Sequence, residues 1–155
     1  MWPAVAIGLG VLLVRAFISD EAPKKSKRAL KKVFISFAIE DKSYRDFLVE
    51  QARSEKSPFS FSDMSVKSPW DEDVWKSKCK RRIESCDGVI VLLSKNTWKS
   101  GGTRWEIKCA KELGVPVVGM HIKKRDQGAI PPELTGSRVF TWTWKNLDKT
   151  IKDKF

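Results

Sequence analysis

Few side chains in this sequence have both the type and the setting for chemistry, and Glu106 is the foremost of them. It follows a stretch rich in Ser, Asn, Thr and Gly, from Ser94 to Thr103, and opens an apolar-periodic segment. A carboxylate in the first turn of a helix is held ionised by the helix dipole. From spacing alone, the plainer alternative of a helix-start glutamate on a solvated face is the stronger. Other groups mainly exclude chemistries. Cys79, Cys86 and Cys109 are odd in number and form no CxxC pair, which fits free thiols in a reducing compartment. With the lone His121 they make no ligand set, so no metal is expected. A single histidine argues against a hydrolase triad, and His121 itself reads as a strand end at the surface. There is no P-loop, no GxGxxG at a strand-to-helix junction and no GxSxG elbow.

The elements that must position Glu106 alternate between strand and helix. Val33–Phe37 is a short β-rich run suited to a buried parallel strand. Asp41 can cap the next segment, where Tyr44, Phe47, Leu48 and Ala52 fall at helical spacing. Phe59–Val66 is a weaker strand, and Asp73–Ser85 a second helix with Val74, Trp75, Cys79 and Ile83 inward. Gly88–Leu93 is the most hydrophobic run and reads as the central strand. A third helix, Arg104–Leu113, stops at Gly114. Pro116–Ile122 and Arg138–Trp142 are further strands, flanking a long loop from Lys123 to Gly136, and Leu147–Phe155 is a closing helix. This order predicts an α/β fold with a doubly wound, mostly parallel five-stranded sheet of the flavodoxin-like kind. Ligands of such sheets bind outside the carboxyl ends of the strands. Three segments meet there: Ser36-Phe37-Ala38, Asp63 to Trp70, and Ser94 to Glu106. A phosphorylated receiver shares the strand–helix order. It needs an acidic residue where this chain has Leu93-Ser94, and a lysine where Val117–Ile122 offers only His121.

The core from Lys32 to about Lys123 resembles a TIR domain, of the TIR-like type found in the Thoeris antiphage protein ThsB. Three pieces carry the resemblance. They are Val33-Phe-Ile-Ser-Phe37, then Ile83-Glu-Ser-Cys-Asp-Gly-Val-Ile-Val-Leu-Leu93, then Ser94-Lys-Asn-Thr97 with Ser100 and Arg104-Trp-Glu-Ile107. In NAD-cleaving members the catalytic glutamate lies six residues after a serine, the spacing of Ser100 and Glu106 here. Ordinary TIR domains place a Trp three residues before that glutamate. Position 103 is Thr in this chain, and Trp105 directly precedes Glu106, as in the Thoeris type.

The resemblance implies cleavage of the nicotinamide–ribose bond of NAD, which enters as substrate with no separate cofactor. Nicotinamide leaves as a neutral pyridine, so the transition state is oxocarbenium-like, and a fixed carboxylate can stabilise it and bind the ribose hydroxyls. Glu106 takes that role. Ser36 and Phe37 line the pocket floor, with Phe37 either stacking on a ring or packing in the core. Asp63 and Trp70 close the other side, Ser94 and Ser100 belong to the rim, and Trp98 is either a ring-stacking residue or a packing anchor. Capture of the cation by water gives ADP-ribose. Attack by adenine gives a cyclic isomer, a signal for a downstream effector. The rival implication is a non-catalytic interaction module acting by homotypic self-association.

Charge and hydropathy set the domain plan. The net charge is +11, but six of the nine residues from Lys24 to Lys32 are basic. The remaining basic residues do not interleave with aromatics on a strand, which argues against a nucleic-acid partner. Residues 1–18 carry one charge, Arg15. As a helix they would reach about 27 Å at about 1.5 Å per residue. Positive charge after the segment, not before it, predicts an uncleaved anchor helix with the domain in the cytoplasm. Residues 19–31 read as a basic tether and 32–155 as the TIR-like domain. The basic run would lie against anionic lipid, about 1 kcal/mol per side chain near the surface.

Overall fold

Short runs of Val, Ile, Leu and Phe, buried on both sides, form the strands of a parallel sheet because helices cover each of its faces. The computed structural model describes residues 30–57, 59–62 and 71–155. The anchor expected over 1–18, most of the tether, and Asp63 and Trp70 lie outside the described residues. Five strands follow one another as β1 (Lys31–Ser36), β2 (Phe59–Ser62), β3 (Gly88–Leu93), β4 (Val117–His121) and β5 (Val139–Thr141). The helices are α1 (Lys42–Ser54), α2 (Glu72–Glu84), α3 (Gly101–Glu112) and α4 (Trp144–Lys154). Lys31 and Lys32, read in part as tether, already belong to β1.

The sheet order is β2-β1-β3-β4-β5, and every neighbouring pair is parallel. Strand alternation divides the core into two layers. Val33, Ile35, Ile90, Leu92, Val118 and Met120 pack with Leu48 of α1 and with Leu147 and Ile151 of α4. Phe34, Val89, Val91, Leu93 and Val117 pack on the other face with Cys79 and Ile83 of α2 and with Ile107 and Ala110 of α3. β3 is buried at all six positions, as its composition predicts.

Three helix details depart from the sequence reading. Phe47 is 65% exposed, because the inward stripe of α1 runs through Leu48 and Ala52 and leaves position 47 well off it. Val74 of α2 is likewise exposed, while Cys79 and Ile83 are fully buried. α3 begins at Gly101 rather than Arg104, since Ser100 caps it: its Oγ accepts from Thr103 N at 3.3 Å. The far end of α3 closes as the glycine rule requires. Gly114 has φ +72°, its N–H donates to Lys111 O at 3.1 Å, and Val115 N–H donates to Ala110 O at 2.9 Å. Among the described residues no helix is long and apolar enough to cross a membrane.

Candidate functional site

In this strand order the chain leaves β1 toward one edge through β2, then returns to build the other half from β3 onward. The crevice outside the carboxyl ends of β1 and β3 is therefore the topological switch point, where open parallel sheets hold ligands. Ser36 ends β1 there, and Ser94 follows β3.

Glu106 lies on α3, which packs over β3 and touches β1 and β4. It is only 2% exposed. The earlier helix start moves it from the first turn into the second, so the dipole acts on it less than its sequence position suggests. Burial among side chains rules out the solvated-face alternative. Its neighbour Trp105 leans on Trp75 of α2 with ring centroids 5.4 Å apart, which fixes α3 against α2. Ser36 is fully buried on the face covered by α2 and α3, and its Oγ has no hydrogen-bond partner. Phe37 is buried in the opposite layer, with the Arg45 guanidinium 5.4 Å from its ring centroid. Phe37 belongs to the core layer opposite the one that α3 covers.

The loop between β3 and α3 is densely hydrogen-bonded. Ser94 Oγ donates to Asp41 Oδ2 at 2.5 Å, and Asn96 Nδ2 donates to Asp41 Oδ1 at 3.0 Å. Ser94 N donates to Thr97 Oγ1 at 2.9 Å, and that hydroxyl lies 3.2 Å from Leu92 O, to which it donates. Ser100 Oγ and Thr103 Oγ1 are 2.7 Å apart. Trp98 is 44% exposed, with the Arg104 guanidinium 5.1 Å from its ring centroid. Arg104 Nε in turn grips both oxygens of Glu133, at 2.9 and 3.0 Å. That hydrogen bond holds the Glu133 carboxyl below its ordinary range. The grip ties the start of α3 to the 3-10 turn Pro132–Leu134, beside the exposed Trp98.

His121 ends β4 as expected but is buried, with 9% exposure, rather than at the surface. Burial pushes its imidazole below the ordinary value of 6.5, and its Nδ1 has no partner. Burial likewise pushes the Cys86 and Cys109 thiols up. Among the described residues no group of three His, Cys, Asp or Glu could hold a metal ion. A cavity of about 330 Å³ opens between α1 and β2, lined by Val49, Ala52, Arg53, Lys56, Phe59 and Phe61. None of these residues belongs to the rim at β1 and β3.

Sequence reasoning missed Asp41, Asn96, Arg104 and Glu133. Asp41 occupies the N-cap position of α1, yet its side chain makes no capping bond there. The available signal was the polar Ser94-Lys-Asn-Thr97 run directly after the most apolar strand, whose hydroxyls and amide need partners once buried.

The fold is shared with solved structures at low identity. The TIR domain of the Toll-related receptor TRR-2 from Hydra magnipapillata is 15% identical, with a TM-score of 0.56 over 78% of this chain and 91% of that one. A 2-desoxiribosyltransferase from Leishmania mexicana is 14% identical, with a TM-score of 0.56 over 79% and 97%. A CMP N-glycosidase from Clostridium botulinum is 18% identical, with a TM-score of 0.50 over 79% and 98%. A search of curated proteins by sequence finds no match. The five-stranded, all-parallel α/β order is the fold this chain shares with a TIR domain. The chain belongs to the family of the Thoeris protein ThsB, TIR-like domain, whose model matches residues 34–127.

Proposed function

We propose that this domain cleaves NAD at the nicotinamide–ribose bond, with Glu106 as the catalytic carboxylate. The observation that carries the proposal is the 2% exposure of Glu106 on the helix behind the switch point, in a chain of the ThsB TIR-like family. A carboxylate fixed in a water-poor site stabilises a developing oxocarbenium ion far better than one in solvent. Ionisation breaks the C1′–N bond and releases neutral nicotinamide. Water then adds at C1′ and loses a proton to give ADP-ribose, or an adenine nitrogen adds intramolecularly to give a cyclic isomer. Ser36, whose buried hydroxyl has no partner, supplies a free hydrogen-bonding group at the end of β1. Asp63, Trp70, Ser94, Trp98 and Ser100 complete the proposed rim. Two proteins with this fold, a CMP N-glycosidase and a 2-desoxiribosyltransferase, are named for chemistry at sugars, in keeping with this reaction class. The domain is proposed to work at a membrane through residues 1–18, facing the cytoplasm, with copies self-associating there.

The test is NAD consumption by the full chain on vesicles at high surface density, beside Glu106→Gln. Loss of NAD in the first and at least about a hundred-fold slower loss in the second is the expected outcome. Equal consumption by both removes Glu106 from catalysis. Consumption by neither moves the function to the non-catalytic interaction module.

A further inference from the structure

We infer that Asp41 is the positioning residue of this site: its buried carboxylate clamps the β3–α3 loop and thereby sets where α3 presents Glu106. Its consequence for activity rests on the NAD-cleaving function proposed above; its consequence for the loop does not.

Asp41 closes the 3-10 turn Ile39–Asp41 after β1, and its N–H donates to Ala38 O at 2.8 Å. It is 2% exposed. A carboxylate so buried is costly unless donors satisfy it. Those donors come from 53 and 55 residues away, across the switch point, as Ser94 Oγ on Oδ2 and Asn96 Nδ2 on Oδ1. While Ser94 Oγ donates to Asp41, it also accepts from Asn96 N at 3.0 Å. One carboxylate thus fixes two side chains and the backbone between them. Onward coupling is continuous. Thr97 N–H donates to Ser94 O at 3.2 Å, Ser100 N–H donates to Thr97 O at 3.1 Å, and Ser100 caps α3. The position of the helix that carries Glu106 is therefore referred, bond by bond, to Asp41. With both oxygens engaged and almost no exposure, Asp41 acts through the loop and not on substrate.

The donor pattern also specifies a rescue. In Asp41→Asn, the amide oxygen can face Ser94 Oγ, but the amide NH2 then meets the NH2 of Asn96. Adding Asn96→Asp supplies an acceptor at that point and remakes the 41–96 bond with donor and acceptor exchanged, while Ser94 Oγ keeps its acceptor.

The experiment compares the full chain with Asp41→Ala, Asp41→Asn and Asp41→Asn/Asn96→Asp. The readouts are NAD turnover as above and hydrogen exchange of the amides of residues 94–103. In Asp41→Ala, kcat is expected to fall about 10- to 100-fold with KM within about three-fold, the pattern of a misplaced catalytic group. Exchange over 94–100 should rise about ten-fold while β1, β3 and β4 stay protected. The exchanged pair should recover most of both. If Asp41→Ala does not fold, the comparison of Asp41→Asn with the exchanged pair carries the test alone. Unchanged loop exchange in the folded single variants overturns the inference. So does unchanged kcat in an active wild-type background, or failure of the exchanged pair to recover. A wild type that turns over no NAD strikes the proposed function, and loop exchange then decides on the clamp.

Discussion

Gly88→Ala should destabilise the domain when Phe155 is present and stabilise it when Phe155 is removed. Gly88 opens β3, and a Cβ built there would lie 2.2 to 2.4 Å from three ring carbons of Phe155. Carbon atoms in contact sit at about 3.5–4.0 Å, so the ring must retreat by about 1.5 Å and leave its seat. Phe155 is half-buried against the layer formed with α1 and α4, and Lys31 Nζ donates to its carbonyl oxygen at 2.7 Å. Half the burial value of a phenyl side chain is about 1–1.5 kcal/mol, and the part-buried hydrogen bond from Lys31 adds about 0.5 kcal/mol. Against that, alanine is favoured over glycine within a strand by about 0.5–1 kcal/mol. Gly88→Ala should therefore cost about 1 kcal/mol net, about 4 °C in Tm for a domain of this size. In a Phe155→Ala background the same methyl enters vacant space and should gain about 0.5–1 kcal/mol. Urea unfolding of the four proteins of this cycle, followed by tryptophan fluorescence, measures the coupling as about 1.5–2 kcal/mol. Equal effects of Gly88→Ala in the two backgrounds would refute the socket, and with it the docking of α4 across the start of β3.

His121 is the single histidine of the sequence, so its titration can be followed by NMR without assignment. Its folded pKa lies below the unfolded value of about 6.5, so its contribution to stability is complete above that pH and is lost as pH falls through the folded value. His121→Gln should flatten the stability profile just below pH 6.5, and an unchanged profile would contradict the burial argument. The buried thiols make a further prediction. With Cys79, Cys86 and Cys109 all buried, and burial raising Cys86 and Cys109, a disulfide reagent at neutral pH should label the folded domain slowly at all three. In guanidinium all three should label at once, and rapid labelling of a native thiol would mark a site that opens.

Strand identity was legible wherever burial on both faces left an unbroken apolar run, as in Gly88–Leu93 and Val117–His121, and α3 was bounded at Gly114 by backbone geometry alone. What a one-dimensional pattern does not hold is competition between partners far apart in the chain. Asp41 sits where an N-cap belongs, and a local rule assigns it that role. Its carboxylate instead meets Ser94 and Asn96, which only the β1–β3 pairing brings within reach. Helix phase is similarly blind to small rotations. Phe47 fits a helical spacing, yet Leu48 and Ala52 define the stripe that the sheet covers. The start of α3 was misplaced because Gly101 and Gly102 read as loop, whereas the Ser100 cap recruits them into the first turn. That start puts Glu106 in the second turn, and its burial comes from the packing of α3 on the sheet, which no local pattern holds.

β5, at one edge of the sheet, is the shortest strand among the described residues, three residues long. An outer strand presents its unpaired N–H and C=O groups as a template for another chain, and a template of three residues is a poor one. The β5 edge therefore has little tendency to pair with another chain into a continuous sheet. This parallel fold gains a margin against fibre formation from that blunt end, independently of the residues at the switch point.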